Sequence, residues 1–257
     1  MEQTSQALMG KHAAVTGGAR GIGAAVTRTL VVHGAKITMF GRRGAPPAEL
    51  TENQHLHYVQ ADVCEPESLL RAFDSARAGF GPIHILVNSA GQGRSAPFLK
   101  TDFALWRSMM QVNLDGIFHC IHAVLPGMLN AGWGRIVNVA STAGLTGYGY
   151  VSAYCAAKHA VVGLTRSLAL EVATKGITVN AVCPGYTETE MLEWTIDAIV
   201  AKTGRTTQQA RAELSERNPQ RRMVQPEEVA NAVAWLCLPG SEAITGQSLA
   251  IAGGEVM

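Results

Sequence analysis

The sequence predicts an α/β fold, a doubly wound parallel sheet of about seven strands with helices on both faces, on three observations. Short apolar runs alternate with longer helical patterns along the chain. A glycine-rich turn stands directly between the first run and the first helix. The 257 residues carry 47% hydrophobic and 16% charged side chains. Alternation of this kind favours parallel strands joined by crossover helices. A chain of this length and composition buries roughly three quarters of its unfolded surface, which excludes disorder as its dominant state.

The strands are read at residues 12–16, 36–40, 57–60, 83–88, 135–140, 178–183 and 247–251, and the helices at 21–33, 66–79, 103–130, 151–174 and 226–237. The first strand is nearly all apolar, as a strand covered on both faces should be. No repeat or linker divides the chain, so residues 1–257 are read as one domain. Two segments break the rhythm. Gly44-Ala45-Pro46-Pro47 leaves little room for a helix between the second and third strands, which is therefore expected to be short or absent. Residues 190–223 form a polar insertion with helical pattern at 195–202 and 208–217, and a long excursion from a compact domain reads as a substrate lid.

Net charge is +1, from 21 Lys and Arg against 20 Asp and Glu, so neither a nucleic-acid nor a membrane-surface partner is expected. No uncharged apolar run is read as long enough to span a bilayer, and no basic leader opens the sequence. Five cysteines without a C-x-x-C pair argue against a disulfide framework or a zinc site. A reducing, cytoplasmic setting is the expectation.

The turn after the first strand reads Thr16-Gly17-Gly18-Ala19-Arg20-Gly21-Ile22-Gly23. Glycines there let the backbone approach a pyrophosphate, whose charge meets free N–H groups and the positive end of a helix dipole. The second strand ends in Gly41-Arg42-Arg43, with no carboxylate to repel a 2′-phosphate. Arg42 could bond that phosphate, which favours NADP(H) over NAD(H), and Arg20 is a second candidate phosphate contact. The alternative is that these arginines face solvent.

Tyr154 and Lys158 stand four residues apart in a helical pattern, so they share a face. A nearby ammonium favours tyrosinate, and such a pair can exchange a proton with a substrate oxygen. The spacing alone is common. Ser141, however, closes the strand before this helix, at the sheet edge where open α/β folds bind ligands, and Asn113 lies in the long helix upstream.

With these residues together, the chain resembles the short-chain dehydrogenase/reductase family from Lys11 to Gly254 and, with it, a Rossmann-type sheet. The resemblance rests on the loop Thr16 to Gly23, Asp62-Val63, Asn88-Ser89-Ala90-Gly91, Asn113, Ser141, the Tyr154–Lys158 pair and Pro184-Gly185, in family order. It implies that Tyr154 is the general acid/base, and that Lys158 lowers its pKa and bonds the nicotinamide ribose. It implies that Ser141 orients the carbonyl, and that Asn113 holds a water linking Lys158 to solvent. Gly17, Gly21, Ile22 and Gly23 would cradle the pyrophosphate, Asp62 and Val63 would contact the adenine, Asn88, Ala90 and Gly91 would support the cofactor, and Pro184, Gly185, Thr187 and Thr189 would hold the carboxamide. Ser89 and Thr187 depart from the usual family residues. The long apolar helices resemble the family's subunit contacts, implying a homotetramer.

Within the family, Ser141 to Gly144, Val224 to Ala230 and the residues around Lys158 and Pro184 resemble the branch of 3-oxoacyl reductases, polyketide ketoreductases and 3-hydroxybutyrate or 3-hydroxyacyl-CoA dehydrogenases. The implied substrate is a small-molecule ketone or secondary alcohol, of 3-oxoacyl (CoA-type) or related hydrophobic kind. A cyclic or aryl alcohol is the alternative, and a non-catalytic dinucleotide sensor a further one. Met191, Leu192, Trp194, Ile196, Tyr148 and Tyr150 are read as either an apolar pocket wall or ordinary core and subunit contacts. Arg221 and Arg222 could meet a CoA phosphate or form an ordinary salt bridge. His119 and His122 lack a third ligand, so no metal is assigned. Cys155 is read as packing, and Glu188 and Glu190 as facing solvent.

Overall fold

The computed structural model describes residues 6–44, 46, 50 and 53–257. Seven parallel strands form one sheet in the order β3-β2-β1-β4-β5-β6-β7. They are β1 (His12–Thr16), β2 (Lys36–Gly41), β3 (Leu56–Gln60), β4 (Ile85–Asn88), β5 (Gly134–Val139), β6 (Ile177–Pro184) and β7 (Ser248–Ile251). Every residue of β1, β4, β5 and β6 is buried, which is why these strands read as mainly apolar runs rather than as a strict alternation.

One face of the sheet carries α2 (Pro66–Phe80), α3 (Phe103–Met110), α4 (Gly116–Ala131) and α5 (Ser152–Val172), and the other carries α1 (Gly21–Val32) and α8 (Pro226–Cys237). Two cores result. Phe40, Phe73, Leu86, Ile117, Met128, Ile136 and Val161 fill the first. Leu30, Ile37, Ile85, Val137, Val182, Val229 and Val233 fill the second. Burial of each such side chain is worth about 1.5–3 kcal/mol.

The strand order reverses between β1 and β4, so consecutive crossovers leave from opposite sides and a crevice opens at the carboxyl ends of these strands. Register brings Thr16 beside Asn88, and Asn88 beside Asn138, along that edge. No α-helix joins β2 to β3 among the described residues. The expectation for that connection rests partly on residues 45 and 47–49, which lie outside them.

Two expectations are corrected. The helix read at 103–130 is divided by a π-helical turn at Gln111–Asp115, a distortion that leaves no mark in apolar spacing. The helical run Phe103–Ala131 is also, by length and composition, apolar enough to cross a membrane, with 39% of that window buried. Here Ile117, Cys120, Ile121, Val124 and Met128 pack into the first core instead.

The insertion forms α6 (Glu190–Thr203) and α7 (Thr207–Glu216), the first beginning five residues earlier than its pattern. Thr206 caps α7, accepting from Gln209 N at 3.2 Å while Gln209 Oε1 accepts from Thr206 N at 2.9 Å. The two helices share a core of their own, formed by Leu192, Ile196, Ala210, Leu214 and Met223.

Candidate active site

The glycine turn is built for close approach. Gly17 and Gly21 hold φ of 66° and 49°, the left-handed region that other residues enter at a cost. A Cβ at Gly23 would stand 2.2 Å from Gly17 O, and one at Gly17 would stand 3.2 Å from the Ala90 backbone. Thr16 Oγ1 accepts from Ser89 N at 3.0 Å and Ala90 N at 3.1 Å, tying the β1 turn to the loop after β4. Gly17, Gly21, Ile22, Gly23, Ala90 and Gly91 thus gather at one crevice wall, and no side chain fills the cradle. These residues fit a dinucleotide.

Asp62 Oδ1 accepts from Cys64 N at 3.0 Å, at the end of β3. The Val63 side chain is buried, and a Cβ at Gly116 would meet it at 2.8 Å, so Val63 offers the crevice only its backbone. The Asn88 amide donates to Asn138 Oδ1 at 2.8 Å inside the sheet. Arg42 is exposed at the end of β2, and its guanidinium has no hydrogen-bond or ion-pair partner among the described residues. Arg20 is held differently, with its Nη1 2.9 Å from Glu190 Oε2 across the crevice.

On the far side, Ser141 follows β5 and Pro184 ends β6. Ser141 Oγ accepts from Ala143 N at 3.1 Å and stands close enough to the Tyr154 hydroxyl to favour its ionised form. One turn further along α5, the buried Lys158 donates to Val139 O at 2.8 Å. Its Nζ lies 5.6 Å from the Tyr154 ring centre. A Cβ at Gly91 would stand 3.0 Å from Asn113 Oδ1 and 3.8 Å from Lys158 Nζ, so only glycine leaves the space between them open. Asn113 sits in the π-helical turn. Its amide donates to Gln92 O at 2.9 Å and Met109 O at 3.0 Å, and its Oδ1 accepts from Gln92 N at 3.2 Å.

The electrostatics differ from the expected lowering of the phenol pKa. Burial pushes Tyr154 up to about 12, opposed by Ser141. Burial also takes Lys158 down to about 8, opposed by Cys183. In the protein by itself the phenol holds its proton and the amine is poised near neutrality, because burial disfavours the charged form of each.

The Pro-Gly loop leads into the insertion of α6 and α7. Thr187 Oγ1 donates to Gly185 O at 2.9 Å and Thr189 Oγ1 to Thr187 O at 3.2 Å. Thr189 also reaches the glycine turn, its Cγ2 3.1 Å from the position of a Cβ at Gly21. Glu190 is exposed as expected and Glu188 half-buried, and both also pair with arginines. Glu190 holds Arg20, and Glu188 lies 3.0 Å from Arg211, which also reaches Glu193 at 2.8 Å. Arg222 pairs with Glu228 at 2.6 Å, the salt-bridge alternative for that arginine.

The apolar wall is also revised. Leu192 and Ile196 belong to the insertion's own core, and Trp194 is 59% exposed. Met191 faces the site, since a Cβ at Gly93 would lie 4.0 Å from both Met191 Sδ and Tyr154 Cε2. Two features escaped sequence reading because their partners are remote or main-chain. They are the bond from Lys158 to a carbonyl, and the contact of Glu255 with Tyr148 at 2.7 Å.

A sheet reversing at β1, a glycine turn and a Ser-Tyr-Lys group across the crevice define the class of nicotinamide-dependent oxidoreductases. Comparison with known proteins makes this specific. Residues 11–200 match the family model described as short chain dehydrogenase, and the chain belongs to that family. It is 36% identical to D-beta-hydroxybutyrate dehydrogenase of Cupriavidus necator, over 97% of this chain and 99% of that one. It is 37% identical to 3-oxoacyl-[acyl-carrier-protein] reductase of Vibrio cholerae, again over 97% and 99%. A crystal structure of a variant of actinorhodin polyketide ketoreductase with NADPH superposes with a TM-score of 0.90 at 35% identity, covering 95% of this chain and 97% of the other. The protein is therefore an NAD(P)-dependent oxidoreductase acting on hydroxyl or keto groups.

Proposed function

We propose that the protein interconverts a ketone and a secondary alcohol with NADP(H) as favoured cofactor, the ketone being of 3-oxoacyl, CoA-type or a related hydrophobic kind. The convergence of Ser141, Tyr154 and Lys158 opposite Gly91 carries this reading. The nicotinamide supplies or accepts the hydride. In ketone reduction Ser141 bonds the carbonyl oxygen, and Tyr154 donates its hydroxyl proton to that oxygen as charge develops on it. Lys158, with its amine near neutrality, stabilises the tyrosinate left behind and returns a proton to it. In alcohol oxidation these transfers reverse. Gly17, Gly21, Ile22 and Gly23 receive the pyrophosphate, Asp62 and the Val63 backbone the adenine, and Pro184 to Thr189 the carboxamide.

Arg42 supports the NADP(H) preference, as an unpaired cation beside the expected 2′-phosphate position. We assign the protein to the cytoplasm, on the strength of its five free cysteines. We also assign it a homotetramer, supported by exposed Phe103, Phe118 and Leu170 on α3, α4 and α5.

The test follows absorbance at 340 nm across a panel of 3-oxoesters, 3-oxothioesters and cyclic and aryl ketones, with both cofactors. Turnover of the 3-oxo compounds with NADPH is expected. Tyr154→Phe is expected to lower kcat by about 10³-fold while NADPH binding, followed by nucleotide fluorescence, stays near that of the parent. Full turnover by this variant would remove Tyr154 from the mechanism. Cofactor binding with no turnover of any ketone or alcohol would favour a dinucleotide sensor.

A further inference from the structure

The wall of the site farthest along the chain comes from the C-terminal tail. After β7 the backbone turns through Gly253 and Gly254, with φ of 60° and 93°, and brings the half-buried Glu255 against the substrate side of the crevice. Its Oε1 accepts from the Tyr148 hydroxyl at 2.7 Å. Its Oε2 stands 2.9 Å from the position of a Cβ at Gly185, in the Pro-Gly loop. Tyr148 Oη also lies 2.8 Å from Thr142 Oγ1, next in sequence to Ser141. A phenol has one proton, so Tyr148 donates to Glu255 and Thr142 donates to Tyr148. This relay joins the tail to the loop that carries Ser141. Tyr186, between the Pro-Gly loop and the insertion, is close enough to Glu255 and to Tyr154 to influence both tyrosine sites. The opposite wall, Gly93 and Met191, is apolar. Arg217 is exposed and lies 4.9 Å from the Tyr148 ring centre.

We infer that Glu255 is a specificity-determining residue that turns away substrates bearing a free carboxylate one methylene from the reacting carbon. The ketone so selected is a neutral 3-oxoester or 3-oxothioester rather than a 3-oxo acid. Two like charges facing one another in a half-buried site repel strongly, whereas a neutral ester meets no such penalty. The apolar Met191 wall favours the ester as well. This inference rests on the proposed ketone chemistry and narrows its substrate class.

The experiment uses matched pairs, each a 3-oxo compound as ethyl ester and as free acid, such as ethyl acetoacetate and acetoacetate, with NADPH at pH 7.5. For the parent enzyme, kcat/KM is expected to favour the ester by more than about tenfold. Glu255→Gln is expected to narrow that ratio by about tenfold, through a lower KM for the acid. Glu255→Asp, which keeps the charge, is expected to retain the preference, and NADPH affinity and thermal midpoint report whether each variant is folded. Should Glu255→Gln be unstable, Tyr148→Phe keeps the carboxylate while removing its bond, and the ester preference is expected to persist in it. An acid turned over as well as its ester by the parent, or a ratio unmoved in Glu255→Gln, would overturn the inference while leaving the ketone chemistry standing. If neither member of any pair is reduced, the proposed function fails, and the inference falls with it.

Discussion

Two buried cations stand at opposite ends of the sheet, and their surroundings differ. Arg135, at the start of β5, is 1% exposed. It donates to Gly134 O at 2.9 Å and Gly176 O at 3.3 Å, lies 3.2 Å from Glu242, and stacks 4.5 Å from the Trp133 ring, with only Nε left unpaired. Lys158, beyond the other end of the same strand, has among the described residues one hydrogen-bond acceptor, Val139 O, and no carboxylate partner. Burial lowers both pKa values, but at Arg135 the partner Glu242 opposes it. A buried charge surrounded by partners acts as scaffold, whereas one left short of them is available for proton transfer.

The sharpest way to break this contrast is to remove each cation. Lys158→Met is expected to lower kcat by about 10²–10³-fold with little loss of stability, since it deletes an unsatisfied charge. Arg135→Ala is expected to cost about 3 kcal/mol in urea unfolding while leaving kcat per folded molecule nearly intact. Equal stability losses in the two variants would erase the distinction.

The amino-terminal edge also holds His12, whose ring lies 2.9 Å from both Gly81 O and Thr38 Oγ1. The carbonyl only accepts, so Nδ1 carries the proton and Nε2 accepts from Thr38. Burial lowers His12 to about 4. An unfolded-state value of about 6.5 makes the unfolded chain the better proton binder between those limits. Stability contributed by the neutral ring is therefore present above pH 6.5 and lost as pH falls toward 4, by about 2 kcal/mol between pH 7 and 5. Urea unfolding at the two pH values checks this, and His12→Gln should flatten the slope.

Smaller effects belong to the cofactor wall. Arg42→Ala should weaken NADPH binding by about tenfold and leave NADH nearly unchanged. Glu190→Gln, which frees Arg20 and removes a negative charge from the phosphate side, should tighten both cofactors by a few fold, an exposed pair being worth about 1 kcal/mol or less. Calorimetric titration of each variant separates the two arginines.

Most of the sheet was legible because strands covered on both faces are mainly apolar, and β1, β4 and β6 are, with His12, Thr16, Asn88, Thr178 and Asn180 as buried polar exceptions. The glycine turn was legible because its spacing answers a backbone requirement. The π-helical turn around Asn113 was not, since no propensity marks one extra residue per turn. The sequence also missed what held the charges. Arg135 was read only as a strand residue, and the phenol pKa was inferred from an ammonium four residues away when burial dominates. The pairing of the exposed Glu190 went unread because its partner, Arg20, stands 170 residues earlier. Contacts so remote in sequence leave no local pattern to read.

The separate core of the α6–α7 insertion, Leu192, Ile196, Ala210, Leu214 and Met223, carries an evolutionary consequence. Because the insertion satisfies its own packing, substitutions on its surface can accumulate without disturbing the two cores that flank the sheet. One element of the fold is thus free to vary while the sheet beneath it is inherited whole.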